Sequence, residues 1–202
     1  ARRPDPQRML QAYFHAAATL NHLRALIEGG FADLHHPERW DLHAGAAEVP
    51  AYRETLAQVR ESLDFLEALG GVQRGTLERI DLFTSHEALL LPYEESLTRW
   101  VAGPTPTMAA ADGGYYNLGA HMLWVGERTR QADGAHIEYL RGLRNPVGVK
   151  VGPTATADEL LPLLERLDPR QEPGRITLIT RFGADRIHEA LPPLISAVRR
   201  SG

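Results

Sequence analysis

Three short apolar runs in the second half of this chain each end in a basic residue with a glycine close by. They are Leu123-Trp124-Val125-Gly126-Glu127-Arg128, Val147-Gly148-Val149-Lys150-Val151-Gly152 and Thr177-Leu178-Ile179-Thr180-Arg181-Phe182-Gly183. If these runs are neighbouring parallel strands, about 4.8 Å apart, their three cations meet at one edge of a sheet. In parallel α/β proteins the C-terminal edge is where chemistry happens. Arginine grips an oxyanion with two parallel N–H groups, whereas lysine acts as a point charge that also accepts a carboxylate. Glu127 and Arg128 follow the first run, and a backbone N–H in such a turn, next to a guanidinium, seats phosphate well. The trio therefore predicts a site for a small, multiply charged anion carrying phosphate and carboxylate. The competing reading pairs each cation with a structural carboxylate such as Glu127 or Asp185.

Lys150 is the only lysine in the chain; arginine fills every other cationic position. A lysine at a strand tip also suits an imine-forming aldolase, but nothing near it in sequence supplies a group to lower its pKa. The absence of cysteine excludes disulfides, thiolate metal sites and a cysteine nucleophile within these residues. The histidines show no metal-ligand spacing. His35, His36 and His43 fall in a loop-like stretch, His86 reads as a helix-start residue, His121 as a packed strand residue and His136 as a helix residue. Ser85-His86-Glu87 has the composition of a triad, but adjacent residues do not form one.

The elements that must carry these residues divide the chain in two. Residues 1–115 read as mainly helical. Asp5 caps a helix with Pro6 at its first position, and the apolar spacing from Met9 to Ile27 continues it to Gly29-Gly30. A second amphipathic helix spans about Ala51–Leu69. A third is expected from Ser85 to Trp100, interrupted at Pro92, and Val101–Tyr116 reads as loop. From residue 116 to 202 strands alternate with helices. Strands are expected at Leu118–Val125, Val147–Val151 and Arg175–Thr180, and helices at Asp133–Leu143, from the capping box at Thr156-Ala157-Asp158-Glu159 to Leu167, and at Ala184–Arg200. Alternation every ~30 residues means βαβ units and a parallel sheet. About three such units do not close a (β/α)8 barrel of ~250 residues. The expected architecture is a partial TIM barrel preceded by an α-helical region, cut from a larger protein, with a small open sheet as the alternative. The net charge of −4 argues against a nucleic-acid binder, no window has the length of a membrane span, and without a signal peptide the expected location is cytoplasmic.

Longer motifs then carry a resemblance. His121–Gly134 (HMLWVGERTRQADG), Asn145–Pro153 (NPVGVKVGP) and Pro173–Gly183 (PGRITLITRFG), with Ser85–Leu89 and Leu191–Ile195 in support, resemble the class II 3-deoxy-D-arabino-heptulosonate 7-phosphate (DAHP) synthases of the plant and actinobacterial type. The resemblance runs through the whole chain but covers less than half of a family member. It implies a (β/α)8 barrel with extra helices that condenses phosphoenolpyruvate with erythrose 4-phosphate and releases phosphate, as the first step of aromatic biosynthesis or of a secondary-metabolite branch. It implies that Glu127 (through its backbone), Arg128, Lys150 and Arg181 bind phosphoenolpyruvate, the same residues the strand-end argument selects. A divalent metal, manganese or cobalt, is implied as a Lewis acid. The family's Cys, His, Glu and Asp ligand motifs do not occur here, nor do its upstream arginine and Lys-Pro-Arg-Ser/Thr segment. These residues alone are therefore expected to be inactive. A homo-oligomer and a chorismate mutase partner are also expected. The alternative function is a non-catalytic truncated homologue acting as a binding or regulatory partner.

Overall fold

The computed structural model describes residues 3, 5–31, 33, 50–70, 81–103 and 113–201, which belong to two compact units, Ala1–Leu82 and Phe83–Gly202. The loop expected to hold His35, His36 and His43 lies outside the described residues, as do residues 104–112.

The first unit supplies two helices. In α1 (Pro6–Glu28) Asp5 is extended and its carboxylate accepts the Gln7 N–H at 3.0 Å, with Pro6 in the first turn. This is the start that the sequence predicts, because the cap satisfies a donor the helix leaves unpaired and proline lacks one to satisfy. The Gly29 N–H closes the far end on the Ala25 carbonyl at 2.9 Å and the Gly30 N–H on the Ile27 carbonyl at 3.0 Å. A second helix, α2 (Pro50–Ala68), matches the expected amphipathic run to within a residue. No residue of α1 is buried, and Leu10, Tyr13 and Phe14 stand exposed.

The second unit runs β1 (Ser85–Glu87), α3 (Leu91–Ser96), β2 (Thr98–Val101), β3 (Gly114–Asn117), β4 (Met122–Val125), α4 (Ala135–Arg141), β5 (Val147–Val151), α5 (Ala157–Leu167), β6 (Ile176–Thr180) and α6 (Ile187–Ser201). Strands β1, β4, β5 and β6 form one parallel sheet in that order, and β2 pairs antiparallel with β3. The result is a mixed α/β unit with a mostly parallel sheet. No helix among the described residues is long and apolar enough to cross a membrane.

Three expectations need correction. Ser85–Trp100 is not one interrupted helix: Ser85-His86-Glu87 is a parallel strand, and the helix begins only at Leu91, with Pro92 in its first turn. A three-residue strand has no periodicity of its own to read; its ladder to β4 makes it one. The parallel strands therefore number four rather than three. The expected loop at 101–116 holds the end of β2 and most of β3, which are joined only by long-range pairing. The strand expected from Leu118 starts at Met122, because the Asn117 side chain accepts the Gly119 N–H at 2.7 Å and turns the chain there. His121 consequently sits just before β4, exposed, its Nδ1 accepting the Thr84 N–H. Nor does His86 start a helix; it lies in β1 and its Nε2 is 2.8 Å from the Glu94 carboxylate.

The core lies on one face of the sheet. Leu123 and Val125 of β4 and Val147, Val149 and Val151 of β5 are buried there beneath Ile137 and Leu140 of α4, Leu160, Leu163 and Leu167 of α5 and Leu194 of α6. Residues two apart on a strand share a face, so Trp124, Gly148 and Lys150 fall on the opposite one. Below the sheet's N-terminal edge, the buried Arg175 guanidinium donates to the Asn145, Leu143 and Leu140 carbonyls. The Asn145 side chain in turn accepts the Asn117 N–H and donates to the Asn117, Ala120 and His121 carbonyls. One end of the sheet is thus fixed by apolar and polar packing, and the other is left for loops.

Candidate anion-binding site

The register sets the strand ends. Trp124 pairs with Gly148, Val125 with Val149, and Lys150 with Ile179. Arg128 therefore follows β4, Lys150 lies near the end of β5, and Arg181 immediately follows β6, its N–H donating to the Val151 carbonyl at 2.9 Å. All three belong to the C-terminal ends of adjacent parallel strands.

Their side chains are not used up by the fold. Among the described residues, neither the Arg128 nor the Arg181 guanidinium has an ion-pair or hydrogen-bond partner, and both residues are exposed. Lys150 is half-buried; its ammonium stands 4.9 Å from the centroid of the Trp124 ring, with no carboxylate partner among the described residues. The reading that pairs each cation with a structural carboxylate such as Glu127 or Asp185 finds no such pair among the described residues. Glu127 turns toward β5 instead, its Oε1 accepting from the Thr154 hydroxyl at 3.2 Å and its carboxylate lying against Gly152. A side chain at 152 would collide with that carboxylate. The β4 and β5 turns are thereby clipped together by the side chain of Glu127. The turn itself is closed by the Thr129 N–H on the Gly126 carbonyl at 3.1 Å.

Two neighbours, Glu87 and Arg130, escaped the sequence reading, and a third, Trp124, gains a role from the register. Glu87 ends β1 in register with Trp124, and its carboxylate rests against Gly126. Its strand was too short to recognise. Arg130 is 11% exposed and sits 3.7 Å from the Glu159 carboxylate, joining the β4 turn to the start of α5; its Nε is buried without an acceptor among the described residues. Trp124 has a buried indole N–H that likewise lacks an acceptor there. From the sequence, Trp124 could line the site, though an aromatic in a strand is usually core; the register adds that it shares a face with Lys150.

Chemically, the arrangement offers separate positive charges and turn backbone to an oxyanion-bearing ligand. It offers no metal cage: among the described residues no three His, Cys, Asp or Glu side chains group closely enough to hold an ion.

Comparison with known proteins places the chain in a lineage. The model of the Class-II DAHP synthetase family matches residues 1–202. The phospho-2-dehydro-3-deoxyheptonate aldolase of Neurospora crassa is 46% identical over 207 residues, covering 98% of this chain and 43% of the relative. The proteins of that name from Streptomyces coelicolor and Mycolicibacterium smegmatis are 43% and 42% identical, each covering 100% of this chain and 43% of the relative. The chain spans less than half the length of these curated relatives.

Proposed function

The chain belongs to the class-II DAHP synthetase family, and on that premise we propose that it is the part of a DAHP synthase that holds phosphoenolpyruvate. The complete protein would join phosphoenolpyruvate, erythrose 4-phosphate and water to give DAHP and inorganic phosphate. The four parallel strands would be consecutive members of a (β/α)8 barrel, with their C-terminal ends at its mouth. That each strand pairs with the next parallel strand in sequence supports this.

The observation that carries the proposal is the set of cations Arg128, Lys150 and Arg181 at three adjacent strand ends, none of them paired with a carboxylate among the described residues. Phosphoenolpyruvate brings a phosphate and a carboxylate. The two guanidiniums would take oxyanions bidentately, the backbone of Glu127 would add a donor, and the ammonium would serve as a point charge. Neutralising both anions leaves the enol carbon as the reactive centre and fixes its direction of approach to the sugar aldehyde. The family uses a divalent metal; among the described residues no group of His, Asp or Glu side chains fits one.

The test is kinetic. In the complete protein, Lys150→Ala should lower kcat/KM for phosphoenolpyruvate about 10- to 1000-fold, since it removes a charge-assisted contact, with a smaller change in KM for erythrose 4-phosphate. Unchanged constants for phosphoenolpyruvate would overturn the assignment.

A further inference from the structure

The ammonium of Lys150 poses a question that the three-cation site leaves open. A long, flexible side chain needs something to hold it, and the usual holder is a carboxylate. A carboxylate here would cancel the charge on which the ligand depends. The residue beside it is instead an indole. Trp124 and Lys150 lie diagonally across the β4–β5 ladder on the face opposite the core, and the ammonium stands 4.9 Å from the ring centroid, within the roughly 6 Å range of a cation–π contact. The ring's negative face attracts the ammonium without neutralising it, and its bulk strips water from one side of the charge.

Two further observations bear on the ring. Trp124 is registered opposite Gly148, and a Cβ there would lie 2.8 Å from the Trp124 Cβ and 2.9 Å from the Ile179 Cδ1. Glycine at this position leaves the space the indole occupies. The second is a cost: the indole Nε1 is buried with no acceptor among the described residues. Phenylalanine or leucine would fill such a position without orphaning a donor. What tryptophan offers over either is the strongest cation-binding face among the aromatic side chains.

We infer that Trp124 is the positioning residue for Lys150, holding the ammonium over the strand ends while leaving its full charge to the ligand, with Gly148 providing the room. The inference rests on the phosphoenolpyruvate reading of the site, and it can fail while that reading stands. Trp124 does not touch the reacting atoms; it acts through the lysine.

The test compares Trp124→Phe, Trp124→Leu and Lys150→Ala in the complete protein, measuring KM for each substrate, kcat and the thermal midpoint. Trp124→Leu should raise KM for phosphoenolpyruvate about 3- to 30-fold, the range such a contact is worth, and leave KM for erythrose 4-phosphate unchanged. Trp124→Phe keeps a weaker ring and removes the orphaned donor. It should show a smaller rise in the same constant with no loss of thermal midpoint, so it remains informative should the leucine variant fail to fold. Wild-type KM for phosphoenolpyruvate in both variants would overturn the inference. So would parallel losses in both substrates' constants that track the thermal midpoint, since a ring that merely packs predicts that result. If Lys150→Ala itself leaves phosphoenolpyruvate use intact, the reading of the site falls, and the positioning role with it.

Discussion

A cation at the end of a strand serves a ligand only if no carboxylate has already taken it. Arg141 shows the other case: it is held by Glu138 at 2.5 Å and is committed to the fold. Arg128 and Arg181 have no such partner among the described residues. Arg181→Ala is accordingly expected to lower kcat/KM for phosphoenolpyruvate about 10- to 1000-fold. Arg181→Lys should recover only part of this, because an ammonium cannot reproduce a bidentate fork; steady-state kinetics on the two variants measure the difference. Gly148→Ala tests the strand opposite. Its methyl group must displace the Trp124 or Ile179 side chain, so KM for phosphoenolpyruvate should rise, with a destabilisation of about 1–3 kcal/mol typical of overpacking read by denaturant unfolding. At this scale the strand-end positions of Arg128, Lys150 and Arg181 were legible because each closes an apolar run. Gly148, Glu87 and the pairing of Trp124 with Lys150 were not, because their significance lies in which residue faces them across a ladder, and a single sequence does not contain that register.

Elements were legible where local chemistry decides them. The Thr156 hydroxyl accepts the Glu159 N–H at 3.3 Å to start α5, as the capping motif predicts, and β5 occupies the expected Val147–Val151. Elements made by distant partners were missed: β1 exists through β4, and the β2–β3 pair through its own ladder. The anchor at the sheet's lower edge belongs with these. Arg175 is buried, and desolvation pushes its pKa down while its guanidinium satisfies three carbonyls around the end of α4 and the entry to β5. Replacing it with leucine strands those carbonyls, and a loss of about 2–4 kcal/mol is expected. Thermal unfolding of the variant checks it; a midpoint equal to wild type would mean that water satisfies the carbonyls instead. A pH effect arises on α4. Hydrogen bonding to Arg141, helped by Arg166, holds the Glu138 carboxyl below its ordinary range. A carboxylate with a depressed pKa stabilises the fold above its unfolded value and loses that contribution as pH falls through the folded one. Both groups are exposed, so the effect should be small, and the stability difference between wild type and Glu138→Gln should shrink on acidification.

At the scale of the second unit, the buried core among the described residues lies on one face of the sheet, under α4, α5 and α6. Parallel sheets are normally covered on both, since their crossover helices bury them. Here the core face of β4 and β5 is sealed by α4, α5 and α6, whereas Thr177 of β6, in register with Gly148 on the other face, is exposed, and among the described residues β6 pairs with β5 alone. Closing such a sheet on itself covers the second face with its own side chains and removes both edges. This physical argument favours the barrel over an open sheet, independently of any family relationship. It also connects architecture to activity: a barrel interior would enclose Lys150 and Trp124, raise the effective strength of each charge and keep bulk water from the enol. A polypeptide of these 202 residues expressed alone should therefore release no phosphate from phosphoenolpyruvate and erythrose 4-phosphate, with or without added manganese or cobalt, while the complete protein does so under the same conditions. Turnover by the 202-residue polypeptide at the rate of the complete protein would show that the open sheet suffices, and the barrel would lose its physical justification.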